Sequence, residues 1–222
     1  MATVARLSIN RGHSFTAKHA MWLVFALMTL FVFATRERTL LDSSSFLRQR
    51  YSPFSWLLLA HAVPGALALF LGVFQFSSRF RERYRKAHRV MGRIYVGSVL
   101  ISAPVAVAVS IALPLPTLLM ATVFQSSGWL VATGIALYCV RTGRIQQHRE
   151  WMMRGYPFAM VFVVARVLLA IPAIERMGVM GIATVVWSTL VAAGIVPSFL
   201  IAIQSLRASQ RTTKLRVAQA AD

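Results

Sequence analysis

The apolar residues of this chain fall into six long runs, and arginine-rich polar segments separate most of them. The runs cover approximately residues 20–34, 53–76, 90–113, 117–140, 155–174 and 179–203. Most are as long as the roughly 20 residues that an α-helix needs to cross ~30 Å of hydrocarbon. Because a bilayer leaves backbone groups no water to bind, such runs form helices. The pattern therefore predicts an all-α, polytopic transmembrane helical bundle with six spans.

The first run is the shortest of the six and has a second interpretation. Its length is also typical of the apolar region of a signal peptide. The following residues, 35–38, read Thr-Arg-Glu-Arg and do not form a small-residue cleavage site. We therefore expect the first run to be an uncleaved span.

The six runs predict three regions along the chain. Residues 1–52 form an N-terminal tail, the first span and an outer loop. Residues 53–174 form a four-helix membrane core from the second to the fifth span. Residues 175–222 form the sixth span and a basic C-terminal tail.

A basic segment at residues 79–95 sets the predicted orientation. It carries seven Lys and Arg residues and only one acidic residue, Glu82. A centred Arg costs roughly 2.5–3.5 kcal/mol on membrane-insertion scales, so this segment stays outside the bilayer. The two tails, this segment and residues 141–154 together hold 18 of the 24 Lys and Arg residues, whereas the opposite side holds five. The positive-inside rule then places both termini in the cytoplasm of a multi-pass protein of the cell inner membrane.

The composition limits which partners the protein is expected to bind and which disulfide, metal or catalytic sites it can contain. The formal net charge is +18, yet 57% of the residues are apolar. Because the charges cluster between spans, we expect anionic lipid headgroups as the partner, and no nucleic acid. The single cysteine, Cys139, excludes an intramolecular disulfide and a cysteine-based metal site within one chain. The sequence also lacks a P-loop, a G-x-S-x-G motif and an H-E-x-x-H motif.

Polar residues inside the spans are the first candidate site. Arg166, His61 and Gln125 each lie about eight residues from the predicted outer end of a span, at a depth of ~12 Å, and Trp129 lies one turn deeper. An intramembrane Arg is expected to face the bundle interior and to have a partner. The layer predicts a buried polar site. It could bind an anionic or quinone-like headgroup, conduct ions or protons, or only bridge helices, with His61 bound by a Ser or a backbone carbonyl.

The second candidate site lies at the cytoplasmic face. His88 and His148 each precede an outgoing helix, and the sequences around them repeat faintly. Two such imidazoles could ligate the iron of a haem b. Arg89, Arg93 and Arg154 complete a basic cluster around them. The alternative is that the histidines lie at the interface and contact lipid headgroups.

Two strings of residues carry a resemblance to a known family. They are HRVMGRIY, beginning at His88, and HREWMMR, beginning at His148. Together with His61, Trp129 and Arg166 they resemble a bacterial family of predicted membrane proteins labelled domain of unknown function 2306. The resemblance covers roughly residues 56–174. It implies a multi-pass membrane fold, supplies no activity, and suggests the His and Arg positions as the functional ones.

The sequence thus favours an integral membrane protein that is haem- or quinone-linked and redox-active, with a buried His/Arg polar site. The alternative is a non-enzymatic protein that binds or transports a small molecule or an ion through the Arg166 layer. The two hypotheses differ in the side chains that would contact the ligand.

Overall fold

A computed structural model describes residues 17–35, 49, 52–112 and 118–221 of the chain. Within these residues the chain forms eight α-helices and a short 3-10 turn at Ser52–Phe54, with no β-strand. The helices are α1 (Ala17–Thr35), α2 (Ser55–Gln75), α3 (Ser78–Arg83), α4 (Arg85–Ala112), α5 (Leu119–Arg141), α6 (Ile145–Leu168), α7 (Pro172–Glu175) and α8 (Gly178–Ala221). The N-terminal tail, the loop predicted at 36–52 and the turn predicted at 113–116 lie largely outside the described residues.

Five of these helices are long and apolar enough to cross a membrane. The qualifying stretches are Ser52–Gln75, Arg85–Ala112, Leu119–Arg141, Ile145–Leu168 and Gly178–Arg207. The apolar part of α1, Ala20–Thr35, is shorter. Many large apolar side chains on the helices are exposed, as expected for helices that lipid surrounds. The predicted all-α membrane bundle is confirmed, with α1 as its shortest apolar helix.

Four helices form the centre of the bundle. Helix α2 packs against α4, α4 against α5, α5 against α6, and α6 returns to α2. Helices α4 and α6 are therefore diagonally opposite each other. Helix α1 packs on α6, and α8 packs on α6 and α5. This arrangement brings the beginnings of α4 and α6, which carry the two candidate haem ligands, to the same end of the bundle.

Tyr156 of α6 contacts two other helices, α1 and α2. Its ring lies directly on Gly72 of α2, where a Cβ atom would overlap the ring. Its hydroxyl donates a hydrogen bond to the carbonyl of Leu69, with 2.7 Å between the oxygens. The rings of Trp22 in α1 and Phe76 lie 6.0 and 5.3 Å from the Tyr156 ring. Tyr156 therefore holds α1, α2 and α6 together.

Small residues also allow α5 and α6 to approach closely. A Cβ atom on Gly128 would lie 2.8 Å from Cζ of Phe158, and one on Gly155 would lie 3.1 Å from the Cβ of Ala132. Helices in lipid associate through such close contacts, because lipid offers no hydrophobic driving force between them. The turn between the two helices is short and contains Gly143 at φ 74°, a left-handed conformation suited to glycine.

The helix ends differ from those predicted by hydropathy. Helix α4 begins at Arg85 where the apolar run begins near residue 90, and α6 begins at Ile145 where the run begins near 155. Arg, Lys and Gln are good helix formers, so these helices continue beyond their apolar parts. Helix α6 also ends earlier than predicted, at Leu168 instead of near residue 174. Ile171 is extended, with ψ 121°, and Pro172 begins α7, because a residue before proline avoids the helical conformation.

Candidate functional site

His61 of α2 binds Ser102 of α4. The Nδ1 atom of His61 lies 3.0 Å from the Ser102 carbonyl oxygen and 3.1 Å from its Oγ. The Ser102 hydroxyl donates to the His61 carbonyl at 3.0 Å, and Ser102 is fully buried. Because a carbonyl only accepts, Nδ1 carries the proton, and the neutral ring has its lone pair on Nε2. This is the helix-bridging arrangement that the sequence left open.

Gln125 and Ser126 of α5 bind helices on either side of them. Gln125 Nε2 donates to the carbonyl of Phe158 in α6 at 2.9 Å, and Ser126 Oγ donates to the carbonyl of Ala103 in α4 at 2.8 Å. Together with the His61 contact, these hydrogen bonds connect α2, α4, α5 and α6 at a similar level in the bundle. We call the set the polar belt; its members are His61, Ser102, Ala103, Gln125, Ser126 and Phe158.

The acceptors of the polar belt lie close to prolines. Pro64 interrupts α2, Pro104 interrupts α4 and Pro157 interrupts α6. Each carbonyl that accepts a belt hydrogen bond lies within three residues of one of these prolines. A proline removes one backbone hydrogen bond and loosens the helix around it. The belt acceptors lie beside these interruptions, whereas the carbonyl that loses its helical partner lies four residues before each proline.

Arg166 lies nearer the helix end than the sequence predicted. It occupies the last turn of α6, two residues before Leu168, and it is half-buried. Its guanidinium carbon lies 5.3 Å from the centre of the Phe162 ring. Phe158, which binds Gln125, is eight residues away, or ~12 Å along the axis. Helix α6 ends earlier than the predicted span, so Arg166 lies two residues and not about eight from the helix end. His61 and Gln125 bind backbone carbonyls of neighbouring helices, and the predicted site that joins them to Arg166 stays a prediction.

Trp129 belongs to a separate contact one turn deeper than Gln125. Its Nε1 donates to the hydroxyl of Tyr95 in α4 at 3.1 Å, and both side chains are buried. The neighbouring Thr133 is also buried. Tyr95 is the last residue of the HRVMGRIY string, so the string contained a partner that sequence reasoning did not single out.

The structure places His88 and His148 at the same end of the bundle, near the beginnings of α4 and α6. Nδ1 of His148 lies 2.8 Å from the carbonyl oxygen of Ala136 in α5, so the proton is on Nδ1 and the lone pair of the neutral ring is on Nε2. His88 lies in the first turn of α4. Its Nδ1 is buried and has no hydrogen-bond partner in the described part of the chain.

Gln75 holds the backbone beside His88. Its Nε2 donates to the His88 carbonyl at 3.4 Å, and its Oε1 lies 3.4 Å from the position of a Cβ on Gly92. Sequence reasoning missed Gln75, although a Gln at the end of an apolar run is a recognisable signal. The basic residues of this cluster differ in their contacts: Arg89 and Arg93 are exposed, whereas Arg154 lies 3.8 Å from Glu150.

The donor set limits which groups this end of the bundle could hold. Among the described residues, no group of three or more His, Cys, Asp or Glu side chains is placed to bind a metal ion. One open groove of about 460 Å³ lies at this end, at Glu82–Ala87, and another of about 490 Å³ lies along the middle of the apolar part of α8, at Trp187–Val196. The first of them adjoins His88. The two imidazoles therefore lie at the mouth of the bundle and not in an enclosed cavity.

One comparison with known proteins identifies a family. The model of the family described as predicted membrane protein, DUF2306, matches residues 58–202. This match extends beyond the resemblance at 56–174 and includes α7 and the apolar part of α8. Neither the curated proteins nor the solved structures give a match. Since the family match covers more than half of the sequence, the chain belongs to the DUF2306 family of predicted membrane proteins.

Proposed function

We propose that this protein is a membrane redox protein that binds haem at the cytoplasmic end of the bundle, with His88 and His148 as the axial ligands. The observation that carries the proposal is the 2.8 Å contact between Nδ1 of His148 and the Ala136 carbonyl. Ligating histidines usually donate their second ring nitrogen to a carbonyl or carboxylate, which fixes the ring and directs the other nitrogen to the metal. His148 has this arrangement.

The number of ligands favours haem over a single metal ion. A zinc or non-haem iron site takes three or more protein ligands. The described residues contain no such group at this end of the bundle. A porphyrin supplies four nitrogens itself, so two imidazoles complete the coordination of its iron. His88 and His148 lie on diagonal helices, from which two axial ligands could face each other.

The surroundings of the two histidines suit an anionic group. Arg89 and Arg93 follow His88 on α4, and Arg154 follows His148 on α6. Guanidinium groups pair readily with carboxylates such as the propionates of haem. Above this level the bundle is filled by Tyr95 and other buried aromatic side chains. The proposed position is therefore the cytoplasmic mouth of the bundle.

The same proposal includes the orientation in the cell inner membrane, with both termini in the cytoplasm. It is supported by the distribution of Lys and Arg between the two sides of the membrane. The alternative function, binding or transport through Arg166, needs His61 and Gln125 to meet Arg166. Both side chains bind carbonyls of the polar belt instead.

The experiment is an optical spectrum of the full chain, expressed with haem precursor and purified in detergent. We expect a Soret band that shifts on reduction, and in His88→Ala and His148→Ala a Soret band that moves to the position of high-spin haem. The matched control is His61→Gln, which changes the third membrane histidine and should keep the band. A colourless wild-type protein, or equal bands in all variants, would contradict haem ligation by this pair. Extraction and chromatography of bound quinone then test the quinone version of the redox hypothesis.

A further inference from the structure

The elbow between α2 and α4, residues 76–89, carries much more positive than negative charge. Its only acidic residue is Glu82. All of its basic residues except Arg81 are exposed. The basic residues are Arg79, Arg81, Arg83, Arg85, Lys86 and Arg89. Such a surface favours an anionic partner.

A ladder of aromatic rings fixes the level of the elbow relative to the bilayer. The Phe74 and Phe80 rings are 5.8 Å apart, and the Phe80 and Tyr84 rings are 5.6 Å apart. Phe74 and Tyr84 are each about half exposed. Phe74 continues the exposed apolar face of α2 that includes Leu67 and Phe70. Because Tyr side chains concentrate where the hydrocarbon meets the headgroups, Tyr84 at the polar end of the ladder indicates that the neighbouring cations lie at the depth of the lipid phosphates.

The cations of the elbow line an open groove beside this ladder. The groove has a volume of about 460 Å³ and is lined by Glu82–Ala87. The guanidinium carbon of Arg83 lies 5.5 Å from the centre of the Tyr84 ring, so an aromatic face orients it. Arg85 and Lys86 are the first two residues of α4, and they line the same groove.

We propose that the elbow binds the headgroup of an anionic phospholipid of the leaflet in which it lies. Arg83, Arg85 and Lys86 bind the phosphate, and the acyl chains lie along the exposed face of α2. A phosphodiester with a net negative charge and two acyl chains matches both parts of this surface, whereas a free phosphate matches only the cations. The proposed phosphate ligands Arg83, Arg85 and Lys86 differ from the residues of the haem proposal, although His88 and Arg89 lie at the end of the same elbow.

The test compares two triple variants that remove equal charge. Arg83→Gln/Arg85→Gln/Lys86→Gln changes the elbow. Arg141→Gln/Arg144→Gln/Arg149→Gln changes exposed cations of the other loop at the same end. Each purified protein is titrated in detergent with phosphatidylglycerol, phosphatidylcholine or inorganic phosphate. Bound lipid is counted by native mass spectrometry, and the unfolding midpoint is measured in parallel.

We expect phosphatidylglycerol to bind the wild type and raise its unfolding midpoint, with no rise in phosphatidylcholine or phosphate. The elbow variant should bind the anionic lipid about fivefold more weakly for each cation removed, and the other variant should bind like the wild type. The single change Lys86→Gln gives the same direction if the triple variant is unstable. Equal losses in both triple variants, or an equal rise with inorganic phosphate, would overturn the proposal.

Discussion

Nδ1 of His148 lies 2.8 Å from the carbonyl oxygen of Ala136, and this contact ties the first turn of α6 to the C-terminal part of α5. It fixes the plane of one imidazole at the bundle mouth, at the same end as His88. A histidine at a polar loop could have turned to water. The contact instead holds it towards the helices and makes it a candidate ligand.

The packing of Tyr156 on Gly72 gives the first prediction. We expect Gly72→Ala to lower the free energy of unfolding by about 1–3 kcal/mol, because the new methyl group overlaps the Tyr156 ring in a filled core. The control is Gly134→Ala in α5, where a Cβ meets nothing within 4 Å. Unfolding in mixed micelles with increasing dodecyl sulfate measures both, and equal effects at the two glycines would contradict the packing.

The Tyr156 hydroxyl gives the second prediction. Tyr156→Phe removes its hydrogen bond to Leu69 and should cost about 0.6–1.5 kcal/mol of unfolding free energy. Tyr138→Phe, at a side chain that is 57% exposed, is the matched control and should be neutral. The same dodecyl sulfate titration compares them. A neutral Tyr156→Phe would mean that the ring, and not the hydroxyl, joins α6 to α2.

The pair His61 and Ser102 gives the third prediction. Ser102→Ala removes the hydroxyl that donates to the His61 carbonyl and should destabilise the bundle by about 1 kcal/mol. His61 keeps its contact with the Ser102 carbonyl, so the loss should stay small. Ser127→Ala, at an exposed position one residue after Ser126, is the control. Thermal unfolding in detergent that is unaffected by Ser102→Ala would argue against this bond.

Orientation gives the fourth prediction. A reporter enzyme that is active only outside the cytoplasm should remain silent when fused after Asp222, since the Lys and Arg distribution places both termini inside. A fusion after Arg176, in the short turn between α7 and α8, should be active. The reverse pattern of reporter activity would mean that the bundle has the opposite orientation, with the histidines at the outer face.

The hydropathy of the sequence predicted the positions of the spans more accurately than the residues at which the helices begin and end. Hydropathy locates the apolar part of each helix, but polar residues such as those at 145–149 extend helices without changing the apolar run. The early end of α6 had a signal in Pro172, which follows an extended residue and starts a new helix. Recognising it would have placed Arg166 in the last turn.

The sequence indicated which residues belong to the candidate site, but it did not indicate which atoms those residues bind. His61 and Gln125 do lie at similar depth, yet each binds a backbone carbonyl. Every residue has such an acceptor, so residue types alone do not reveal which one becomes available. The common end of His88 and His148 follows from their equivalent places before outgoing helices, their approach to each other stays a prediction, and the Ala136 contact needed the structure.

The most direct test of the account is the low-temperature electron paramagnetic resonance spectrum of the oxidised, haem-supplied protein. Two axial imidazoles make ferric haem low-spin, so the wild type and His61→Gln should give a low-spin ferric signal. Loss of one ligand should convert this signal to high-spin in both His88→Ala and His148→Ala. A wild type without a ferric haem signal, or a low-spin signal that survives in both variants, would contradict ligation by His88 and His148.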